Sequence, residues 1–331
     1  MSVRSGLSLP TRRRGAPATS SGGILVTGSN RSGTTWVGEM LSHAGSLHQV
    51  YEPFNPGLWP RWTATPIPHR NLYLCAENEG PWVEEISDVL ARRRALRAQV
   101  GDVRSPRDAG RLARDAGRSV ARHAQRGQTL LKDPIAVFST PWLADRFGLS
   151  VVAMIRNPAA FASSIKRLEW RFDFRNWLDQ ELLMRDLLHP FEDEIKAMVD
   201  HPADLVDQAI LLWRVHYAVI DRFRAEHPEW HFVRMEDLAA DPVAGFRDLY
   251  GRLGLDFHAD AEARITSDNA PGNVTEVASK DTGTVRRDSR AAATAWKHRL
   301  DADEFARVRD GVADIAPRFY EPHEWAMEST S

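Results

Sequence analysis

Cysteine is almost absent from the sequence, which has one, Cys75, among 331 residues. A single cysteine excludes an internal disulfide framework and a cysteine-rich zinc site, and it fits the reducing cytoplasm in which we expect the protein to function. Long apolar runs are also lacking. The longest, at 24–26, 151–155 and 209–213, are too short to span a bilayer. No apolar stretch follows the arginine triplet at 12–14, so we expect neither a signal peptide nor integral membrane association.

A strong net charge is absent as well. The 43 basic and 45 acidic side chains give a net charge of −2, which provides no general attraction to nucleic acid or to a membrane surface. Lysine is scarce, with five lysines against 38 arginines. This arginine excess weakens any inference from one arginine alone. The composition, 43% hydrophobic and 27% charged, is that of an ordinary globular protein, and we expect no nucleic-acid partner.

A Gly-rich loop follows the first apolar strand, and it lacks the lysine of ATP-binding loops. Residues 25–41 read LVTGSNRSGTTWVGEML, in which a strand runs into a turn that opens a helix. The ATP-type pattern is G-x-x-x-x-G-K-[ST]. Here Thr34 occupies the lysine position, and the cation of the loop is Arg31. Backbone N–H groups of residues 32–35, at a helix N-terminus, predict an anion-binding site. The alternative is an ordinary turn that caps a helix.

Strands and helices alternate along the chain, which predicts an α/β fold. We expect three layers, α/β/α, with one parallel sheet between helices and a P-loop-like phosphate-binding loop. The predicted strands lie at 24–27, 48–51, 129–132, 150–155 and 231–235. Ligands bind such sheets at the carboxyl ends of the strands. The sequences that end the first four strands, TGSNR, YEP, KDP and RNP, should therefore converge.

We expect one folded domain at residues 22–320. Residues 1–21 are polar and rich in Arg, Ser, Gly and Pro, which predicts a disordered tail, and residues 321–331 would form a second tail. Two long insertions, at about 54–126 and 168–226, should form helical caps over the carboxyl edge of the sheet.

Cations lie where the ligands of a magnesium ion would be needed. Nucleotide triphosphate chemistry uses Mg²⁺, which is held by the loop Ser or Thr and by an Asp at the end of another strand. The strand at 150–155 ends in Arg156, whereas the strand at 129–132 ends in Lys132, with Asp133 one residue later. These cations predict that charge is neutralised without a metal ion. A sulfuryl group, which carries less charge than a terminal phosphoryl group, fits that arrangement.

Four stretches match motifs of one known family. Residues 30–36, NRSGTTW, match a 5′-phosphosulfate loop, and Arg156-Asn157-Pro158 with Ser164 matches a 3′-phosphate motif. Two looser matches are Met235-Glu236-Asp237-Leu238, where the family has tyrosine first, and a closing loop at 286–297. The chain thus resembles bacterial-type sulfotransferases that use 3′-phosphoadenosine 5′-phosphosulfate (PAPS), over residues 23–315. The resemblance implies sulfuryl transfer from PAPS to a hydroxyl or an amine, with no metal ion.

The resemblance also implies how the donor is bound. Arg31 would contact the 5′-phosphate and the bridging oxygen. The residues implied to cradle the 5′-phosphosulfate are Ser32, Gly33, Thr34 and Thr35. The residues implied to bind the 3′-phosphate are Arg156 and Ser164, with either Arg286 or Arg287 as a further contact. Trp36 would pack on the adenine, although packing between helix and sheet explains this tryptophan equally well.

Sulfuryl transfer to an alcohol needs a general base and a cation near the leaving oxygen. The family's cytosolic members use a histidine after the third strand, where this chain has Lys132 and Asp133. We therefore predict Glu52, at the end of the second strand, as the base, since partial burial would raise its pKa towards neutrality. An ion pair with an arginine is the alternative role for Glu52, and Asp133 is the alternative base. Lys132 and Arg31 would contact the sulfuryl or leaving oxygen.

Aromatic residues and arginines concentrate at 51–62 and 170–177. They suit a carbohydrate, glycolipid or phenolic acceptor, and packing within the cap is the alternative. Two other functions stay open: a P-loop kinase or NTPase with a degenerate loop, and a non-catalytic nucleotide-binding module. The missing loop lysine and Arg156 argue against the kinase. Glu52 and Lys132, at neighbouring strand ends, argue against the non-catalytic module.

Overall fold

Five short aliphatic segments pair into one parallel sheet. The computed structural model describes residues 22–91, 127–275 and 286–327, so the predicted tail at 1–21 and residues 92–126 of the first predicted cap lie outside the described residues. The strands are β1 (Ile24–Gly28), β2 (Leu47–Tyr51), β3 (Gln128–Lys132), β4 (Ser150–Ile155) and β5 (His231–Arg234). They pair in the order β2-β3-β1-β4-β5. The predicted strands are reproduced to within a residue or two.

Helices connect the strands. Those of eight or more residues are α1 (Thr34–Ser42), α2 (Trp82–Leu90), α3 (Thr140–Phe147), α4 (Pro158–Arg167), α5 (Glu192–Asp200), α6 (Leu205–Glu226), α7 (Pro242–Arg252), α8 (Ala259–Asp268) and α9 (Ala302–Gly311). Shorter helical segments include Pro134–Ser139, Arg175–Leu178, Met235–Ala240 and Ser289–Thr294. Across the described ranges, no helix combines the length and the apolar character needed to cross a membrane.

Alternate residues of each strand enter two different cores, as the two-residue period of a strand requires. Leu25 and Val151 belong to a core with α3, α4 and α6. Val26 and Met154 belong to the opposite core, with α1, α7 and α8. The sheet therefore lies between two helical layers, which confirms the predicted α/β/α architecture.

The longest helix, α6, belongs to one of these layers. Asp204 caps its N-terminus by accepting hydrogen bonds from the N–H groups of Val206 and Asp207. Its buried residues, among them Leu212 and Val215, lie in the same core as the strand residue Val151. The second half of the predicted cap at 168–226 thus contains α6, which packs on α4 and α9.

The C-terminal segment is also part of the fold. Residues 321–327, predicted as the start of a tail, contain a turn of 3₁₀ helix at Pro322–Trp325. The Trp325 side chain is only 6% exposed and packs edge-to-face on Phe305 of α9, with 5.9 Å between ring centroids. Glu324 forms an ion pair with Arg234 at the end of β5. Burial of one large aromatic side chain is the physical reason that this segment is ordered.

We predict that Trp325→Ala lowers the free energy of unfolding by about 3 kcal/mol, because it leaves a cavity beside α9. Trp59→Ala is the control, since Trp59 is 46% exposed and its loss creates no cavity. Urea denaturation followed by circular dichroism measures both. Equal, small losses for the two variants would show that the C-terminal segment is not packed on the domain.

Candidate active site

The loop between β1 and α1 depends on three left-handed residues. Gly28 has φ of 142°, Arg31 of 68° and Gly33 of 95°. A Cβ on Gly28 would lie 2.6 Å from the Met154 carbonyl oxygen, so no other residue fits there. In the described part of the chain, no side chain caps α1 at Gly33. Instead Gly33, Thr34 and Thr35 line a cavity of about 500 Å³, which places the uncapped helix N-terminus at its wall.

Ser32 closes the turn of the loop. Its backbone N–H and its hydroxyl both donate to the Ser29 carbonyl oxygen, at 3.2 and 2.6 Å, and the residue is fully buried. Ser32 lies behind the cavity wall and does not line it. Its contact with an anion stays a prediction.

The other cavity walls come from the carboxyl edge of the sheet. Glu52 follows β2, Arg156 follows β4, and Ser164 lies two turns into α4. Arg287 and Ser289 close the cavity from the C-terminal part of the chain. The endings of β1, β2 and β4 thus meet at one cavity, and of the β3 ending, which was predicted to join them, Pro134 lines it.

Arg156 joins the loop, β4 and α6. Its guanidinium Nη1 donates to the Arg31 carbonyl oxygen. Its backbone N–H donates to the Tyr217 hydroxyl at 2.7 Å, and its carbonyl oxygen accepts from Trp213 Nε1 at 2.9 Å. The Tyr217 hydroxyl also lies 3.2 Å from Ser29 Oγ. Burial lowers the pKa of Arg156. A buried cation at the anion loop favours a negatively charged ligand.

Arg31 lies among other cations. Its Nε donates to Ser164 Oγ at 3.1 Å, which brings the loop cation and the predicted 3′-phosphate serine into contact. Burial, followed by the charges of Arg156 and Arg287, lowers the pKa of Arg31 to about 10. Like charges at this density are unfavourable unless an anion lies between them. The cluster is therefore suited to a ligand with more than one negative group.

The structure separates the two candidate C-terminal arginines. Arg287 is half-buried and lines the cavity, and burial together with the neighbouring Arg167 lowers its pKa. Arg286 is exposed and lies outside the cavity wall. Sequence spacing cannot distinguish two adjacent arginines in a loop. Arg287 is placed for the predicted role, and Arg286 is not.

Trp36 lies between the cavity and the helical layer, and its packing on the adenine stays a prediction. It lines the cavity, but its Nε1 donates to Asn269 Oδ1 at 2.8 Å and its ring packs edge-to-face on Phe246 at 5.2 Å. The ring is therefore fixed by the helical layer, and one part of it faces the cavity.

Glu52 and Lys132 form an ion pair at the end of β2 and β3. Lys132 Nζ lies 2.5 Å from Glu52 Oε1, and its side chain is completely buried. The ammonium group also lies 3.4 Å from the centre of the Tyr51 ring. Asn55 Nδ2 donates to Glu52 Oε2 at 2.7 Å. These contacts fix the carboxylate of Glu52, which lines the cavity and is 14% exposed.

Lys132 itself does not line the cavity. The predicted contact between Lys132 and a sulfuryl or leaving oxygen stays a prediction. Lys132 lies beneath Glu52 because the alternation of β3 turns its side chain into the protein, and its partner in this structure is the Glu52 carboxylate. Glu52 is thus paired with a lysine, and not with an arginine as in the predicted alternative.

Asp133, the alternative base, accepts backbone hydrogen bonds away from the cavity wall. The residue is fully buried, and its two oxygens accept from the N–H groups of Phe54 and Ile135, at 2.8 and 2.9 Å. Burial, and then the charge of Glu52, raise the pKa of Asp133 to about 7. Asp133 caps the 3₁₀ segment Pro134–Ser139 and fixes the chain after β2, and it does not line the cavity.

Several residues of the site had no clear sequence signal. Tyr217 lies in a segment predicted as a cap, and only the packing of α6 brings its hydroxyl to the loop. Glu236 belongs to the motif at 235–238, which matches the family motif only loosely. It is half-buried, and its Oε1 and Oε2 accept from the Asn157 N–H and from the Tyr320 hydroxyl, at 3.0 and 2.8 Å. Glu236 therefore fixes the turn that follows Arg156.

The aromatic stretch at 170–177 is divided between two roles. Phe172, Phe174 and Trp177 are buried and pack on one another, with ring centroids 4.9 to 5.4 Å apart. Packing, the alternative for this stretch, is therefore confirmed for these three residues. Trp170 differs because it lines the cavity. Within residues 22–91, 127–275 and 286–327, no three His, Cys, Asp or Glu side chains are grouped to hold a metal ion.

We predict that Lys132→Met lowers the free energy of unfolding by about 2 kcal/mol, because it leaves the Glu52 carboxylate partly buried without its cation. The double variant Lys132→Met/Glu52→Gln should recover at least half of that loss. Urea denaturation of the parent protein, the two single variants and the double variant measures the four free energies of unfolding of this double-mutant cycle. Lys196→Met is the control: Lys196 lies 2.6 Å from Glu192 in an exposed pair, so its loss should have little effect. Additive losses in the cycle would contradict a coupled pair.

Comparison with known proteins agrees with the site. Residues 23–259 match the model of the sulfotransferase family. The human carbohydrate sulfotransferase 1 is 26% identical over 340 residues, which cover 88% of this chain and 77% of that protein. The mouse carbohydrate sulfotransferase 5 is 24% identical over 334 residues, covering 87% and 77%.

The solved structures that this chain is similar to include two sulfotransferase domains. The domain from the curacin biosynthetic pathway has a TM-score of 0.48 and 16% identity, covering 89% of this chain and 99% of that domain. The domain from the Synechococcus PCC 7002 olefin synthase has a TM-score of 0.45 and 17% identity, covering 94% and 99%. Because the family model matches most of the chain, including the loop and Arg156, the protein belongs to the sulfotransferase family.

Proposed function

We propose that the protein transfers the sulfuryl group of PAPS to a hydroxyl group of an acceptor. The observation that carries the proposal is the cluster of Arg31, Arg156 and Arg287 at one cavity with an uncapped helix N-terminus. PAPS carries negative charge at both its 5′-phosphosulfate and its 3′-phosphate. The loop with Arg31 would bind one of these anionic groups. The second group explains why further arginines line the same cavity.

The two groups would bind on different walls of the cavity. The N–H groups at Gly33, Thr34 and Thr35, with Arg31, would hold the 5′-phosphosulfate. Arg156, Ser164 and Arg287 would hold the 3′-phosphate. Ser164 Oγ accepts from Arg31 Nε, so its own proton is available for a phosphate oxygen. The bond between Arg31 and Ser164 would bring Arg31 near both the 5′-phosphosulfate and the 3′-phosphate.

Glu52 is the residue best placed to act as the general base. Lys132 and Asn55 fix its carboxylate, which faces the cavity on the side of β2. The acceptor hydroxyl would give its proton to Glu52 while its oxygen forms a bond to sulfur. The bond between sulfur and the 5′-phosphate oxygen breaks at the same time, and adenosine 3′,5′-bisphosphate leaves. Arg31 and the loop N–H groups stabilise the negative charge on that leaving oxygen.

The acceptor belongs to a class that flat aromatic faces can bind. Tyr51 and Trp170 line the cavity on the same side as Glu52 and Arg70. A carbohydrate, a glycolipid or a phenolic natural product fits such walls. The two curated relatives are named as carbohydrate sulfotransferases, which supports a sugar hydroxyl as the first candidate.

We predict that Arg287→Ala weakens binding of adenosine 3′,5′-bisphosphate by roughly tenfold or more, while binding of 5′-AMP changes little, since only the bisphosphate has a 3′-phosphate. Titration calorimetry with both nucleotides measures the difference. Arg286→Ala is a matched control, because it removes the adjacent arginine that lies outside the cavity. An equal loss for both nucleotides would remove Arg287 from the 3′-phosphate site.

We predict that Glu52→Gln lowers the rate of sulfuryl transfer by on the order of 100-fold or more, because the amide cannot accept the hydroxyl proton. Binding of adenosine 3′,5′-bisphosphate should remain, which separates a lost base from a lost fold. Glu169→Gln is the control: Glu169 shares the φ of 48° found at Glu52, but it is exposed and outside the cavity. A rate within a few-fold of the parent enzyme would exclude Glu52 as the base.

A further inference from the structure

Arg70 lies at the end of the cavity that is away from the cation cluster. The cations that act on Arg31 are Arg156, Arg287 and Arg167. The charges that act on Arg70 are instead the carboxylates of Glu52 and Asp133. Arg70 therefore lies on the side of the proposed base, where the acceptor would bind, and away from the 3′-phosphate wall.

The position of Arg70 is fixed by its surroundings. Its backbone N–H donates to Asn176 Oδ1 at 2.7 Å. Its guanidinium carbon lies 5.3 Å from the centre of the Trp170 ring, so the planar group rests against an aromatic face. Both side chains line the cavity. Asn176 fixes the backbone of Arg70, and the Trp170 ring supports its guanidinium. The guanidinium N–H groups therefore point in a defined direction.

The guanidinium makes no hydrogen bond or ion pair with another residue of the described ranges, and its Nε is buried without a partner. Burial lowers the pKa of Arg70, whereas the two carboxylates oppose that change. Glu52 is already bonded to Lys132 and Asn55. A buried donor without an acceptor is costly, and five guanidinium N–H donors match the two oxygens of a carboxylate or a sulfate.

We infer that Arg70 binds an anionic group, a carboxylate or a sulfate, on the acceptor, so that the enzyme selects acidic acceptors. The inference rests on the proposed function. Trp170 and Tyr51 would hold the ring of a sugar or a phenol, and Arg70 would hold the anionic group of that same molecule. The acceptor hydroxyl then lies towards Glu52. A uronic acid, a sulfated sugar and a hydroxylated aromatic acid all have the required chemistry.

The test compares acceptors that differ only in charge. One pair is methyl β-glucuronide and methyl β-glucoside, and the other is 4-hydroxybenzoate and 4-hydroxybenzamide. Binding is measured by calorimetry on the full chain saturated with adenosine 3′,5′-bisphosphate, and transfer is measured with PAPS. We expect the acidic member of at least one pair to bind about tenfold more tightly, as a charge-assisted hydrogen bond predicts. Its advantage should appear in KM more than in kcat.

Two variants test the assignment to Arg70. Arg70→Gln should abolish the preference for the acidic member and leave binding of the bisphosphate unchanged. Arg61→Gln should keep the preference, because Arg61 also stacks on a tryptophan, Trp62, at 5.1 Å but lies outside the cavity. The matched pair therefore separates the contact in the cavity from a general loss of positive charge.

Several outcomes would overturn the inference. One is equal affinity for the acidic and the neutral member in both pairs. The absence of measurable binding of any of the four compounds counts as the same result. Another is a preference that survives Arg70→Gln. A third is an equal fall in kcat for acidic and neutral acceptors in that variant, which would assign Arg70 to the sulfuryl group. In each case the bisphosphate still binds and the proposed function stands. If the parent protein fails to bind the bisphosphate, the proposed function fails first, and the inference fails with it.

Discussion

The site depends on the hydrogen bonds of one buried residue, Arg156. Its guanidinium bonds the carbonyl of the anion loop, its N–H bonds the Tyr217 hydroxyl, and its own carbonyl accepts from Trp213. One residue thus ties the loop, the end of β4 and the long helix α6 together. Because Tyr217 also reaches Ser29, the loop is held from both sides. The shape of the cavity follows from these bonds, and so does the position of the charge within it.

Charge balance explains how the remaining residues are arranged. Burial lowers the pKa values of Arg31, Arg156 and Arg287, and the charges of neighbouring arginines lower them further. Such a cluster is stabilised when anionic groups bind between its members. The acids of the site are kept in defined places: Glu236 is bonded to the turn that follows β4, and Glu52 is paired with Lys132. Positive charge thus lines the proposed donor site, and one carboxylate lines the proposed acceptor site.

Much of this arrangement was predictable from local sequence. The parallel sheet, the loop and the strand-end residues Glu52 and Arg156 follow from short patterns, because strand period and turn chemistry are local properties. The rest depends on where side chains point and on contacts distant in sequence. Ser32 and Lys132 are turned into the protein, and that direction depends on the exact register of a turn or a strand. Tyr217 and Arg70 reach the cavity only through tertiary packing, so no local pattern marks them.

Binding of adenosine 3′,5′-bisphosphate, compared with ADP and ATP, tests the central claim most directly. Titration calorimetry with and without Mg²⁺ measures each affinity. The account predicts tight binding of the bisphosphate, independent of Mg²⁺, and much weaker binding of ADP and ATP, because the arginine cluster neutralises a 3′-phosphate and a 5′-phosphate without a metal ion. A preference for ATP that requires Mg²⁺ would contradict it, and would assign the loop to a nucleotide triphosphate.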